Sequence, residues 1–165
     1  MTRRILSIAL CALVCLIMLG AAAAWAGQIR LARHPDYHAG RIAFSYLGDI
    51  WTANEDGTGV QRITDNGARE VYPRFSPDGR WIAFSSNRYG NYDVFVVPVS
   101  GGTPKRLTFH TGTDDVVGWT RDSQQVIFRS ARGDGAFPSV AVLYQIAATG
   151  GMEKPLPIEI GRAHV

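Results

Sequence analysis

The sequence contains very little cysteine. Its two cysteines, Cys11 and Cys15, both lie in an apolar segment near the N-terminus. The rest of the chain therefore offers neither a disulfide framework nor a thiolate for metal binding or nucleophilic catalysis. A domain built from that remainder must be held together by the packing of its core.

The chain also lacks a strong excess of charge of either sign. Two of its 17 basic residues, Arg3 and Arg4, precede residue 27, which leaves 15 basic against 14 acidic residues in the rest of the chain. Nucleic-acid-binding domains usually carry a clear basic excess. We therefore expect no nucleic-acid partner.

The first 26 residues are typical of a secretory signal peptide. Arg3 and Arg4 supply positive charge, residues 5–19 are apolar, and residues 24–26 form a small-x-small cleavage site. We expect cleavage after Ala26 and a periplasmic or secreted product. The alternative is a retained anchor, because the apolar run with its four following alanines nearly reaches the length that spans a bilayer.

The last six residues, 160–165, read Ile-Gly-Arg-Ala-His-Val and match the translation of a widely used sequencing adapter. We interpret them as a sequencing-adapter scar and exclude them from fold reasoning. In that interpretation the natural protein continues past Glu159. The alternative is a natural disordered tail.

Between these ends, the sequence repeats itself. Four columns of similar residues recur at a spacing of 44 residues, and the first of them also recurs at 40. The recurring segments lie at residues 42–44, 82–84 and 126–128, at 49–51 and 93–95, at 62–64 and 106–108, and at 75–79 and 119–123. Each unit holds four short apolar runs, which is the pattern of a four-stranded propeller blade.

We therefore predict an all-β fold, an incomplete β-propeller over residues 27–159. Three four-stranded blades are expected at about residues 31–64, 71–108 and 116–158, out of a ring of six. The first blade is expected to have a shortened first hairpin at residues 35–40, and residues 131–139 to form a protruding loop. A two-sheet sandwich is the alternative, but it gives no reason for the period.

The turns carry recognisable chemistry. In Pro77-Asp78-Gly79, proline presets the turn, aspartate bonds the nearby backbone and glycine takes a positive φ. The third repeat has Arg121-Asp122-Ser123 at this place, so its turn type is left open. The glycine clusters at residues 56–59 and 100–102 are predicted to be hairpin turns rather than phosphate-binding loops, because neither precedes a helix or contains the required lysine.

The sequence predicts no catalytic, cofactor-binding or metal-binding residue, and no cofactor. No G-x-S-x-G nucleophile motif occurs. His34 and His38 are assigned to a turn, and Asp114 and Asp115 to a solvated turn. We expect Trp51, Trp81 and Trp119 to lie in the core.

The remaining polar candidates are also given structural roles. Asn87, Asn91 and Asp93 are expected to form local Asx turns, and His110 stands alone after a strand.

Residues 73–108, PRFSPDGRWIAFSSNRYGNYDVFVVPVSGGTPKRLT, resemble the bacterial propeller repeat of the translocation protein TolB and of several peptidases. Residues 34–52, HPDYHAGRIAFSYLGDIWT, together with VVGWT at 116–120 and FPSVAVLYQI at 137–146, are more narrowly similar to the first propeller of tricorn protease homologues. The resemblance covers residues 30–157, nearly all of the chain after the signal segment.

This resemblance implies a secreted serine peptidase of the tail-specific type, a hydrolase whose propellers gate and channel peptides. Its catalytic residues would belong to a C-terminal core, so no residue here receives a catalytic role. The implied partners are the rest of its own chain, namely further blades and the peptidase core, and peptides or proteins. A homo-oligomer is also compatible with it.

Two alternatives stay open. One is a TolB-like periplasmic propeller that binds another protein without catalysis, and the other is the propeller cap of a prolyl-oligopeptidase-like hydrolase. A TolB-like chain usually carries a small α/β domain before its propeller. Because the first repeat here begins shortly after Ala26, the peptidase interpretation is favoured.

We predict that residues 27–159 aggregate when expressed alone, because three blades cannot close a ring of roughly four to eight. If each of two open blade faces exposes about 500 Å² of apolar surface, the loss is ~25 kcal/mol at about 25 cal/mol per Å². A domain has only ~5 to 15 kcal/mol of net stability. Size-exclusion chromatography and calorimetry check this, and a monodisperse fragment that melts cooperatively would contradict it.

Overall fold

The computed structural model describes residues 32–132 and 141–158, which form three four-stranded antiparallel sheets. In each sheet the strand order follows the sequence, and the sheets are termed blades 1, 2 and 3. The strands of blade 1 are β1 (Arg33–His38), β2 (Arg41–Tyr46), β3 (Asp49–Asn54) and β4 (Gln61–Arg62); those of blade 2 are β5 (Glu70–Phe75), β6 (Trp81–Ser86), β7 (Asp93–Pro98) and β8 (Lys105–Arg106); and those of blade 3 are β9 (Asp114–Trp119), β10 (Gln125–Ser130), β11 (Val142–Ala147) and β12 (Lys154–Pro155).

These sheets confirm the predicted all-β fold with three four-stranded blades. The first hairpin of blade 1 differs from its prediction, because Pro35 lies inside β1 and the turn consists of Ala39 and Gly40. The proposed signal segment, the proposed scar and most of the 131–139 insert lie outside the described residues. No helix in the described residues is long and apolar enough to cross a membrane.

The turn between the first two strands of a blade follows its predicted chemistry. Gly79 has a φ of +69°, and the Arg80 N–H donates to Asp78 Oδ1 at 3.1 Å. In blade 3, Ser123 takes the position of this glycine with a φ of +60°. The same turn therefore forms in both blades, and the serine accepts the left-handed conformation that glycine adopts without strain.

The middle strands of blade 2 are covered on both faces. Ile82 and Phe84 pack toward blade 1, whereas Ala83, between them, packs toward blade 3. Side chains of a strand alternate between faces, so a run that is buried throughout must have a neighbour on each side. The blade thus explains why residues 82–84 and 94–97 are continuously apolar.

Two clusters of buried residues fill the contacts between blades, which are termed seam 1 (blades 1 and 2) and seam 2 (blades 2 and 3). Seam 1 contains Ala43, Ile50, Ile63, Phe75, Ile82, Phe84, Phe95, Val97 and Val99. Seam 2 contains Ala83, Val94, Val96, Leu107, Val116, Val126, Phe128 and Ile146, with Tyr72, Trp119 and Tyr144 packed against it. Trp81 was predicted to lie in the core, but it is 36% exposed. It is the first residue of β6 and directly follows the turn between β5 and β6.

Blade 2 also holds a buried ion pair at the start of its first strand. The Arg88 guanidinium contacts the fully buried Glu70 carboxylate, donates from Nε to Ser86 Oγ at 3.1 Å and lies 4.5 Å from the centre of the Phe95 ring. Burial raises the pKa of Glu70 above its ordinary value, and the Thr64 hydroxyl and Arg88 oppose that rise. These contacts tie the connection between blades 1 and 2 to the body of blade 2.

The same arrangement recurs in blade 3, 44 residues later. Arg132 contacts the fully buried Asp114, and Arg132 Nε donates to Ser130 Oγ at 2.9 Å. The neighbouring Asp115 pairs with Arg129 at 2.7 Å. The prediction that Asp114 and Asp115 form a solvated turn was therefore wrong, since both lie in β9 and bind arginines.

A second repeated set joins the third strand to the fourth. In blade 1, Arg62 pairs with Asp49 at 2.7 Å, and the Ile50 N–H donates to Thr64 Oγ1 at 2.9 Å. Blade 2 repeats it with Asp93, Arg106, Val94 and Thr108, at the same two distances. In blade 3 the corresponding positions, by strand register, are Val142, Pro155, Leu143 and Pro157. Blade 3 therefore lacks this set.

We predict that Arg88→Leu lowers the free energy of unfolding by about 3 to 5 kcal/mol, because it leaves the buried Glu70 carboxylate without its positively charged partner. The matched control is Arg80→Leu, whose side chain is 77% exposed and pairs with Asp78. That variant should lose less than about 1 kcal/mol. Urea denaturation of the full-length protein measures both, and equal losses would contradict the prediction.

The pH dependence of this variant has a definite sign. The folded-state pKa of Glu70 is already raised by burial, and loss of Arg88 raises it further. A carboxyl group with a raised folded pKa contributes most to stability below its unfolded pKa, and this contribution is lost as pH rises through the folded pKa. The deficit of Arg88→Leu should therefore be smaller at pH 4.5 than at pH 8.

Candidate functional site

The first strands of the three blades lie side by side, because β5 contacts β1 on one side and β9 on the other. Hydrogen bonds join them: the Phe75 N–H donates to Asp36 Oδ2 at 2.8 Å, and Trp119 Nε1 donates to the Arg74 carbonyl at 3.0 Å. These strands form the inner wall of the blades. They begin at the end of the blades that carries the connections from one blade to the next, which is termed the connection end.

Register shifts interrupt all three strands of the inner wall, and those of β1 and β5 share an unusual backbone conformation. His34 and Tyr72 each precede a proline, have φ values of +52° and +56°, and interrupt the register of β1 and β5. Such a φ is uncommon for residues other than glycine, and prolines in sheets are found at bulges because they cannot donate to the ladder. The two rings meet edge to face with centroids 4.4 Å apart.

A cavity of about 400 Å³ opens at the connection end between blades 1 and 2, and it is termed the inner pocket. The residues with polar side chains that line it are Arg33, His34, Ser45, Tyr46, Arg69 and Glu70. A second cavity of about 340 Å³ shares His34 and Arg69 and reaches Tyr92 and Asp115. The inner pocket therefore continues along the inner wall toward blade 3.

Ser45 has no hydrogen-bond partner in the described part of the chain although it is only 6% exposed. Its counterpart in blade 2 is Ser85, which is also the fifth residue of a second strand and whose Oγ accepts the Val116 N–H at 2.9 Å. Register shifts interrupt the first strands of both blades 2 and 3, but in the described residues only the shift in blade 2 contains a residue with a positive φ, Tyr72. One hydroxyl is thus satisfied by the next blade, and the other is buried without a hydrogen-bond partner among the described residues.

His34 Nδ1 is a second buried atom without a partner among the described residues. Burial lowers the pKa of His34 below its ordinary value of 6.5; Arg33, Arg69 and Arg74 lower it further, and Asp115 opposes them. The imidazole is therefore neutral at pH 7. No hydrogen bond joins it to Ser45, so the two do not form an activated nucleophile.

Two exposed arginines, Arg33 and Arg69, stand at the rim of the inner pocket. Within residues 32–132 and 141–158, neither guanidinium makes an ion pair or a hydrogen bond. The Glu70 carboxylate, in contrast, is already bound by Arg88 and Thr64. The inner pocket can therefore bind a negatively charged or hydrogen-bond-accepting group.

Other residues assigned from sequence have structural roles. The assignment of His34 and His38 to a turn was wrong, since both lie in β1. Asn87 Oδ1 accepts the Arg69 N–H, and Asn91 Nδ2 donates to the His110 and Gly112 carbonyls. These asparagines bridge separate loops instead of closing Asx turns. In the described ranges, no three His, Cys, Asp or Glu residues come together as a metal ion would require.

Sequence reasoning missed Arg33, Ser45 and Arg69. A signal did exist, because His34-Pro35 and Tyr72-Pro73 are equivalent pairs placed just before the first apolar run of a blade. A proline at that position indicates a bulge. Nothing in the sequence, however, indicates that Ser45 lacks the hydrogen bond that Ser85 makes.

A family model described as the tricorn protease N-terminal beta propeller domain matches residues 29–164. Tricorn protease homolog 1 of Streptomyces coelicolor is 40% identical to this chain over 94 residues, which are 56% of this chain and 9% of that protein. The chain thus spans less than a tenth of this relative.

Two further similarities extend the comparison. The crystal structure of the tricorn protease superposes with a TM-score of 0.65 at 28% identity, over 76% of this chain and 13% of that one. The Tol-Pal system protein TolB of Desulfosudis oleivorans is 37% identical over 71 residues, which are 41% of this chain and 16% of that protein.

We predict that Arg69→Gln raises the pKa of His34, because the positive charge of Arg69 disfavours the imidazolium form. Asp115→Asn is the opposite control and should lower that pKa, since Asp115 favours the charged form. An NMR titration of the His34 ring protons in the full-length protein measures both shifts. Variants that titrate at the wild-type pH would contradict the electrostatics described for the inner pocket.

Proposed function

The chain belongs to the tricorn protease N-terminal β-propeller family, and we propose on this basis that it gates or channels peptides toward the catalytic core of a tail-specific serine peptidase. In this proposal the blades themselves carry no catalytic residue. The nucleophile, its base and the oxyanion hole belong to another part of the peptidase.

The arrangement of the first strands supports this role. Polar side chains and exposed arginines line the inner wall at the connection end, whereas the seams are filled with apolar side chains. A peptide that passes along the wall would meet hydrogen-bonding groups without disturbing the packing between blades. The family match over residues 29–164 is the observation that carries the proposal.

We also propose that the protein acts outside the cytoplasm, in the periplasm or as a secreted enzyme. The support is the charged, apolar and small-x-small sequence of residues 1–26. N-terminal sequencing of the mature protein is the direct test, and a chain that starts at Gly27 is the expected result. Retention of Met1 would favour an anchored form instead.

A TolB-like propeller that binds a protein without catalysis is the second candidate, and the similarity to TolB favours it. The two candidates differ in their reaction with a fluorophosphonate probe, which labels an activated serine. We expect labelling of the full-length protein outside residues 27–159. Absence of labelling and of peptide hydrolysis would favour the TolB-like function.

We predict that Gly118→Trp slows the cleavage of long peptides by the full-length protein about tenfold and leaves short ones unaffected. Gly118 lies in β9 on the inner wall, and a side chain added there would enter open space. Gln61→Trp, on the outermost strand of blade 1, is the control and should change neither rate. Cleavage of long and short fluorogenic peptides measures the ratio, and an unchanged ratio in both variants would count against channelling along this wall.

A further inference from the structure

We propose that Asn66 is a site of spontaneous chemical modification, at which the side-chain amide is lost through a cyclic imide formed with the backbone nitrogen of Gly67. Water is the co-reactant, and the products carry aspartate or isoaspartate at position 66. This inference goes beyond the proposed function and does not rest on it, because it concerns the connection between blades 1 and 2 and involves no peptide ligand.

The first support lies in the residue that follows each asparagine. The chain contains four asparagines, Asn54, Asn66, Asn87 and Asn91, and only Asn66 is followed by glycine. The imide forms when the next backbone nitrogen attacks the side-chain carbonyl carbon. Glycine has no Cβ to crowd this nitrogen and leaves the backbone free to rotate, so the attack is least hindered at Asn66.

The second support is that the folded structure leaves both reacting groups free. Asn66 and Gly67 are exposed, and in the described part of the chain neither the Asn66 amide nor the Gly67 N–H makes a hydrogen bond. A Cβ added to Gly67 would meet no atom within 4 Å. The two groups can therefore approach each other without breaking a contact, and water can reach them.

The side chains of the other three asparagines are held by hydrogen bonds. Asn54 Nδ2 donates to Thr58 Oγ1 at 3.0 Å, and Asn87 Oδ1 accepts the Arg69 N–H at 2.8 Å. Asn91 Nδ2 donates to two loop carbonyls, each at 2.9 Å. Turning any of these side chains toward its own backbone would break such bonds. The reaction is therefore expected first at position 66.

Two aspartate–glycine pairs, at residues 56–57 and 78–79, could form the same imide and provide an internal comparison. In both pairs the glycine N–H donates to the carbonyl three residues earlier, at 2.9 and 2.8 Å. Hydrogen bonds from Ser76 and Arg80 lower the pKa of Asp78 to about 2, so its carboxyl group is ionised at pH 7. An ionised carboxylate resists nucleophilic attack. Neither restraint applies at Asn66.

The reaction has two steps. In the first, the Gly67 nitrogen loses its proton and bonds to Asn66 Cγ, the Cγ–Nδ2 bond breaks, and ammonia leaves. In the second, water opens the imide at one of its two carbonyl carbons. Breaking the new bond to Cγ gives aspartate. Breaking the original bond to the Asn66 backbone carbonyl carbon gives isoaspartate, in which the main chain runs through Cβ. One water is consumed for each ammonia released.

The products change the connection between blades 1 and 2 while its two ends stay attached. The Ile63 and Glu70 N–H groups each donate to a backbone carbonyl of blade 1 at 2.8 Å. Between them, both products place a new negative charge beside Asp65, which pairs with Arg62 at 2.7 Å. Asn66 itself contributes nothing to seam 1. We therefore expect the modified protein to stay folded and to elute earlier from a cation-exchange column.

The test is incubation of the full-length protein at pH 7 and pH 9, followed by tryptic digestion and mass spectrometry. Trypsin cuts after Arg62 and Arg69, so Asn66 is the one side-chain amide in the peptide of residues 63–69. We expect Asn66 to convert about tenfold or more faster than the other three asparagines. Conversion should be faster at pH 9, because the attacking nitrogen must lose its proton. A sample digested before incubation corrects for conversion during digestion.

Two variants connect the conversion to this pair of residues. Asn66→Gln should abolish it, because glutamine would have to close a larger ring. Gly67→Asp should slow it, since aspartate tolerates the φ of +71° at this position but brings a Cβ beside the attacking nitrogen. If Asn66 stays intact in the protein while a synthetic peptide of residues 63–69 converts, the inference is overturned. Equal conversion of all four asparagines would also overturn it, because the reaction would then not depend on the local structure.

Discussion

The need to cover both faces of a blade governs this structure. A four-stranded meander buries one face against each neighbour, so the middle strands of blade 2 must be apolar on both sides, as Phe84 and Val94 are. Burying a phenylalanine of this kind contributes about 1.5 to 3 kcal/mol relative to leaving it exposed. The buried carboxylates lie at the ends of the strands, since Asp49, Glu70, Asp93 and Asp114 are each the first residue of a strand.

The repeat made the fold predictable, and the strand register explains why. Residues such as Ile82 and Val94 recur at a fixed spacing because they occupy the same place in successive blades. The turn at Gly79 recurs at Ser123 because the same hairpin closes blades 2 and 3. The repeat also contained the ion pairs, since Glu70 and Arg88 are followed 44 residues later by Asp114 and Arg132. Their contact could not be predicted, because strand spacing alone does not bring a loop arginine onto the start of a first strand.

The inner pocket was less predictable, because it depends on departures from the repeat. Ser45 and Ser85 are indistinguishable by position, and only the path of the facing strand decides which of them finds a donor. His34 appeared to be an ordinary turn residue until the bulge placed it in β1. Blades 1 and 2 differ at this end of the inner wall, where Ser45 Oγ and His34 Nδ1 are buried without hydrogen-bond partners among the described residues.

The central claim is that the three blades are consecutive members of one ring whose first strands surround a channel. A crystal structure of the full-length protein tests it most directly. We expect β1, β5 and β9 to face a shared axis, with further blades covering the outer faces of blades 1 and 3 and the inner pocket open to the channel. First strands on the outer rim, or an outer face of blade 3 that stays exposed to solvent, would contradict the account.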